Sequence, residues 1–404
     1  MPSVCLYFQV HQPRRLRRFS FFDVGRIHHY EDEAENRRLL DRIAHKCYLP
    51  ANAILTELIG AYGGRFRLAF SLSGVLIDQL QRYRPDVLES FRQLARTGCV
   101  EFLAETDSHS LAFLFSAQEF GEQVLLHAGR IRELFGQQGR TFRNTELIYN
   151  NDLAEAVQEM GYRVILAEGT EKLLGRRSPN HPYRPAGCDG LKLLLRNYRL
   201  SDDVAFRFSE RSWADYPLTA AKYAHWLHRA AQEEAVINLF MDYETFGEHQ
   251  WAETGIFPFL RELPGEVLRN RDFCFRTPAE AAEAHAAAGE IDSPGFVSWA
   301  DEERDTTAWL GNAIQQDAIR ALYALEPQVR RRADAGLLAT WRALQTSDHF
   351  YYMCTKWFAD GDVHRYFNPF ESPYEAYINY MNILDDFEQT LTGTQENSHG
   401  TDAR

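Results

Sequence analysis

Apolar residues in this chain gather into short runs separated by longer stretches with helical spacing. Seven runs stand out: VCLYFQV (4–10), RFRLAFSL (65–72), VEFLAE (100–105), TFRNTELIY (141–149), YRVILAE (162–168), LKLLLRNY (191–198) and AVINLFMDY (235–243). Each is rich in Val, Ile, Leu, Phe or Tyr and has the length of a strand. Between them, Leu39, Leu40, Ile43, Ala44 and Cys47 share one helical face before Pro50. Ala154, Val157 and Met160 do the same before Gly161. Strands alternating with helices predict an α/β protein with a parallel sheet or barrel. A short run at 272–276 (DFCFR) is a candidate eighth strand, and AEAAEAHAAAGE (279–290) reads as a helix. Beyond it the pattern changes to helices alone, over 301–326, 328–346 and 373–392. The expected organisation is therefore a domain at 1–290, a helical region at 291–390 and a polar, disordered tail at 391–404.

Composition narrows the function. The chain has 404 residues and a net charge of -13, which repels phosphate backbones and anionic lipid. Nucleic acid is not an expected partner; a neutral polymer such as a polysaccharide is compatible. Aromatic residues reach 13%, and rings of this kind pack on the C–H faces of sugars, although packing of a large core uses them equally well. The six cysteines, Cys5, Cys47, Cys99, Cys188, Cys274 and Cys354, show no CxxC pairing or metal-finger spacing and read as reduced thiols. MPSVCLYFQVHQP reads as a strand rather than a leader peptide. No apolar run approaches the ~20 residues of a membrane span. No membrane association and a cytoplasmic location are the expectations.

The polar residues fall at the ends of the runs. His11 follows the first, Ser71, Ser73 and Gly74 end the second, and Glu105 and His109 follow the third. Glu146 lies inside the fourth, Glu168 ends the fifth, Asp202 and Asp203 follow the sixth, and Asp242 and Glu244 follow the seventh. A single one of these is adequately explained as a helix cap. A polar group at nearly every end is better explained by a pocket, because the C-terminal ends of parallel strands share one face. Within that face, Glu146 and Asp242 are carboxylates committed to strand-like runs, where burial is costly unless the group is used or paired. Two opposed carboxylates are what glycosidic cleavage needs: one attacks the anomeric carbon or activates water, the other protonates the leaving oxygen. The competing account is a structural Glu–Arg pair, for instance with Arg143.

Other chemistries lack their residues. No HxH or HExxH is present, and His225 and His228 read as a helical surface or packing pair. GxSxG, GxGxxG and GxxxxGK[ST] are absent. No cofactor and no metal are expected.

At these residues the sequence resembles glycoside hydrolase family 57, in particular its bacterial α-amylase-type members, from residue 3 to about 385. Five segments carry the resemblance: FQVHQP (8–13), GCVEFLAETDSHSL (98–111), FRNTELIYNND (142–152), FMDYETFGEHQW (240–251) and LQTSDHFYYM (344–353). The resemblance implies an incomplete seven-stranded parallel (β/α)7 barrel followed by a C-terminal α-helical region, and a metal-free, retaining mechanism acting on an α-glucan or malto-oligosaccharide. It implies Glu146 as nucleophile and Asp242 as general acid/base. It assigns His11, His109 and Asp348 as substrate ligands, and Glu105, Asp202, Trp251, Trp299 and Asp301 as pocket lining. Asp107 departs from the pattern, standing where an aromatic is expected. A retaining pair would sit ~5–5.5 Å apart.

Three alternatives stay open. A 4-α-glucanotransferase or branching enzyme would use the same pair with a sugar acceptor. A metal-dependent deacetylase would need ligands beyond Asp202-Asp203. A non-catalytic glucan-binding homologue would be expected to lose a carboxylate, and both are present. The sequence leaves the oligomeric state undetermined.

Overall fold

The computed structural model describes residues 1–231, 235–356 and 368–393. By contact, the chain divides into two compact units, each assembled from separated segments. The first comprises Met1–Gln12, Arg37–Asp107 and Glu122–Trp299; the second comprises Pro13–Asn36, Ser108–Gly121 and Ala300–Arg404.

The first unit is an α/β structure with parallel sheets. Its strands are β1 (Ser3–Val10), β2 (Leu68–Leu72), β3 (Val100–Phe102), β4 (Thr141–Arg143), β5 (Val164–Glu168), β6 (Arg184–Pro185), β7 (Lys192–Arg196), β8 (Val236–Asp242), β9 (Cys274–Phe275) and β10 (Glu290–Ile291). One sheet runs β3-β2-β1-β8, with β9 also pairing β1; a second runs β4-β5-β7; β10 and β6 form a separate pair. Every pairing is parallel. The two larger sheets are linked by further bonds. The Ala104 amide donates to the Thr141 carbonyl at 3.0 Å and the Arg143 amide to the Ala104 carbonyl at 2.9 Å. On the other side, the Asn197 amide donates to the Asn238 carbonyl at 2.9 Å, and Asn238 Nδ2 to the Leu195 carbonyl at 2.9 Å.

All eight residues of β1 are buried, which is why apolar residues stand on both its faces rather than alternating with polar ones. Its alternation divides two cores. Val4, Leu6, Phe8 and Val10 join the larger cluster with residues of the surrounding helices, such as Leu55, Leu76 and Phe259. Cys5 and Tyr7 face a smaller cluster with Ala69, Leu103, Leu147, Leu166, Leu194 and Phe240. Successive side chains point to opposite faces, so both faces of the sheet are covered. The six cysteines are free thiols, five of them buried.

The candidate eighth strand is present as the two residues of β9. Two expectations are corrected. The helix expected over 279–290 ends at Ala284, and Glu290 begins β10. The fourth run is strand only over Thr141–Arg143, and residues Thr145–Leu147 form a 3-10 turn instead. Its apolar residues Leu147 and Ile148 are buried, but a turn satisfies that as well as a strand.

In the second unit the helices include Thr307–Leu310, Ala313–Ala324, Glu326–Arg332, Ala335–Ala343, Asp348–Tyr351 and Pro373–Gly393. Asn312 and Gln315 form a capping box at the second of these. Pro327 lies in the first turn of the next, where its missing N–H costs nothing, so the chain restarts there. Buried Glu119 receives hydrogen bonds from Arg330 at 2.9 Å and Arg342 at 2.7 Å. Of the expected tail, 391–393 continue the last helix, and 394–404 lie outside the described residues. Among the described residues, no helix is long and apolar enough to cross a membrane.

Candidate active site

The parallel register brings the C-terminal strand ends of the first unit to one edge. Gln9 of β1 stands opposite both Ser71 of β2 and Asp242 of β8, and Val10 opposite Leu72. In the second sheet Arg143 stands opposite Leu166, and Glu168 opposite Arg196.

Asp242 is the last residue of β8 and is partly buried. The chain then turns sharply through Tyr243–Thr245. Gly247 completes the turn at φ 116°, where a Cβ would lie 1.9 Å from the Lys46 carbonyl oxygen. Only glycine fits that approach. Glu244, two residues past Asp242, is buried and accepts from Tyr48 Oη and, at 3.3 Å, from Gln12 Nε2. Burial, reinforced by the charge of Asp242, raises its carboxyl to about 8.

Glu146 sits just beyond β4 in the left-handed region, at φ 58° and ψ 24°, and Leu147 follows at φ 51°. Two consecutive non-glycine residues at positive φ are strained and persist only where the surroundings hold them. The holding contacts come from far along the sequence. Tyr149 and Val297 exchange backbone hydrogen bonds at 2.9 Å, and the Trp299 amide donates to the Glu146 carbonyl at 3.2 Å. Trp299 Nε1 also donates to Glu146 Oε2 at 2.7 Å. Thr145 Oγ1 and Thr106 Oγ1 are 2.8 Å apart behind the turn.

Beneath these groups lies a buried polar layer. Glu105 is fully buried, accepts from Ser71 Oγ, and has Arg143 Nη1 3.8 Å away. The ion pair that Arg143 forms is therefore with Glu105 rather than with Glu146. Arg196 donates to Glu168 at 3.0 Å, to Asp202 at 2.5 Å and to the Phe240 carbonyl at 2.7 Å. Both guanidiniums lie over the Trp299 ring, Arg143 at 5.2 Å and Arg196 at 5.8 Å from its centroid.

The other expected site residues are distributed as follows. His11 Nδ1 is 2.6 Å from Ser73 Oγ at the β1 and β2 ends. Asp202 stands on the helix Tyr198–Ala205, tied to Arg196. Trp251 is 61% exposed, with Lys46 Nζ 5.9 Å from its ring, and so is the least enclosed of the set. Within the second unit, His109 is buried at φ 50°, and its carbonyl accepts from the Ser347 amide at 3.0 Å. A ring nitrogen of His109 and a carboxylate oxygen of Asp348 lie within 4.8 Å of each other. Asp301, at φ 55°, has Lys356 Nζ 3.3 Å away. Asp107, the departure from the expected aromatic, is ion-paired to Arg130 at 3.0 Å.

Sequence reasoning missed Arg196 as a component of the site, and took Arg143 only as a possible partner for Glu146. A signal was available: TFRN and LLLRN each place an arginine inside an otherwise strand-like run, where a charge must be paired.

The chain is thus an α/β protein of parallel strands with two partly buried carboxylates at their C-terminal ends, one on a strained turn, the residue types that acid–base or nucleophilic chemistry employs. Residues 5–294 match the model of glycosyl hydrolase family 57, and the chain belongs to that family. It is 43% identical over 393 residues, 94% of this chain and 83% of the relative, to a Methanocaldococcus jannaschii protein named "Putative alpha-amylase". Among solved structures it is similar to the GH57-type branching enzyme of Pyrococcus horikoshii, with TM-score 0.67, 15% identity, and coverage of 98% of this chain and 91% of that one. It is also similar to the 4-α-glucanotransferase of Thermococcus litoralis, with TM-score 0.59, 16% identity and coverage of 90% of this chain. The chain spans about half, 54%, of that glucanotransferase.

Proposed function

We propose that this glycoside hydrolase cleaves α-1,4-glucosidic bonds of an α-glucan with retention, Glu146 acting as nucleophile and Asp242 as general acid/base. The observation that carries this reading is Glu146 itself. Its backbone is held in a strained conformation by Val297 and Trp299, and its carboxylate is fixed by the indole N–H of Trp299. Orientation of this kind suits a group that must attack along one line. Glu146 attacks the anomeric carbon while Asp242 protonates the departing oxygen; Asp242 then takes a proton from the water that releases the sugar.

The seven strands β1–β5, β7 and β8 are proposed to form an incomplete (β/α)7 barrel. The Ala104–Thr141 and Asn197–Asn238 bonds between the two sheets support it. The catalytic domain is assigned to 1–290 and the helical region to 291–390. His11, Glu105, Asp202 and Trp251 of the first unit and His109, Asp301 and Asp348 of the second are proposed substrate-binding residues, with Trp299 serving Glu146. Hydrolysis is preferred over glycosyl transfer because the 43%-identical relative carries an amylase name. No metal or cofactor enters the mechanism.

Incubation with maltoheptaose and with glycogen, followed by chromatography, tests this. Shortened maltodextrins with new reducing ends, produced equally after chelation by EDTA, are expected. Longer chains or new branches without net reducing ends would make the protein a transferase. No change in either glucan would contradict both.

A further inference from the structure

We propose that Arg143 is a positioning residue for Glu146, acting through Trp299 to hold that carboxylate ionised and aligned. The inference rests on the reading of Glu146 as nucleophile. Arg143 is fully buried, and none of its three side-chain nitrogens has a hydrogen-bond partner among the described residues. Its nearest counter-charge, Glu105, is 3.8 Å away. Arg196 provides the contrast, since each of its three nitrogens donates. A guanidinium buried without hydrogen bonds is expensive, and a methionine of similar length would fill the space without that penalty.

What Arg143 does touch is the Trp299 ring, 5.2 Å from its guanidinium carbon. A cation over an indole face draws on the π density. The indole N–H becomes a stronger donor, and this N–H is the one bonded to Glu146 Oε2 at 2.7 Å. A hydrogen bond to the charged form of a carboxyl favours that form. The Trp299 amide also bonds the Glu146 carbonyl, so an indole fixed by the cation fixes the nucleophile at both ends. Because the ring is the intermediary, removing the N–H should abolish most of what the cation contributes.

The test compares Arg143→Met, Arg143→Lys, Trp299→Phe and the Arg143→Met/Trp299→Phe double variant. Two readouts are taken: the acidic limb of kcat/KM on maltoheptaose, and the 13C NMR titration of the Glu146 carboxyl, identified by its loss in Glu146→Gln. Arg143→Met and Trp299→Phe should each move both readouts upward by about one pH unit. The double variant should move them no further than Trp299→Phe alone, and Arg143→Lys should restore part of the shift. A merely structural arginine would lower the melting temperature and leave the titration in place, which would overturn the proposal. So would additive shifts in the double variant. Should Arg143→Met not fold, Trp299→Phe and Arg143→Lys decide: an unmoved Glu146 titration in both overturns it. If Glu146→Gln retains full turnover, the functional reading fails instead, and the NMR titration still reports on the Arg143–Trp299–Glu146 coupling.

Discussion

The two carboxylates proposed to act on the glycosidic bond stand on very different backbone. Asp242 closes a seven-residue strand paired along its whole length with β1. Its place is fixed by ordinary sheet geometry. Glu146 follows a strand of three residues and sits in a left-handed turn that its own sequence does not favour. Its place is fixed by a segment some 150 residues downstream, through the Tyr149–Val297 and Trp299–Glu146 bonds. An acid/base group must only deliver and collect a proton, which tolerates some freedom. A nucleophile must meet one carbon along one line, and misplacement there is costly in rate.

The largest expected effect separates the two roles. Glu146→Gln keeps the volume and should lower kcat on maltoheptaose roughly 10⁴-fold with little change in substrate affinity, because the loss lies in the transition state. Asp242→Asn should reduce turnover by on the order of 10²–10⁴-fold on maltoheptaose. It should do much less harm on an aryl maltoside, whose leaving group needs little protonation. Steady-state kinetics on the two substrates checks both, and equal losses on both substrates in Asp242→Asn would break the contrast.

A smaller effect concerns stability. At Glu146 the left-handed backbone penalises any Cβ, so Glu146→Gly should be more stable than Glu146→Ala by about 1 kcal/mol. At Asp242 the order should reverse by roughly 0.5–1 kcal/mol, since glycine weakens an extended strand. Urea unfolding of the four variants reads this directly. The same order at both positions would mean that Glu146 is not held as described.

The strand carrying Asp242 was legible because the run 235–241 is apolar apart from Asn238, and a strand buried on both faces has that signature. The parallel direction of the strands followed from their alternation with helices. The turn at Glu146 was not legible. TFRNTELIY has the apolar content of a strand, and nothing local distinguishes the turn, since its determinants are Val297 and Trp299. The contact-defined units escaped notice for a related reason: 13–36 and 108–121 group with the helical residues by contact, and linear patterning carries no record of that. Glu146 and Asp242 were singled out by chemistry rather than by their neighbours. The buried Arg143–Glu105 pair and the bonds of Arg196 emerged only with the packing around them.

Glu244 offers a contrast in pH dependence. Its folded carboxyl is raised from 4.5 to about 8. The native state therefore binds a proton that the unfolded chain releases, and stability from this group is full below 4.5 and falls as pH rises through about 8. Glu244→Gln keeps an acceptor for Tyr48 and Gln12. It should flatten the decline in melting temperature between those limits, as followed by calorimetry across pH. An unchanged decline would assign it to other groups.

The most direct test of the central claim is to trap the covalent intermediate. Asp242→Asn slows release of the sugar, and a fluorinated maltosyl fluoride supplies its own leaving group. Intact mass followed by peptide mapping should then show one glycosyl adduct, on the peptide containing Glu146 and on that side chain. An adduct on Asp242 or another carboxylate, or no adduct together with a product of inverted configuration, would contradict it.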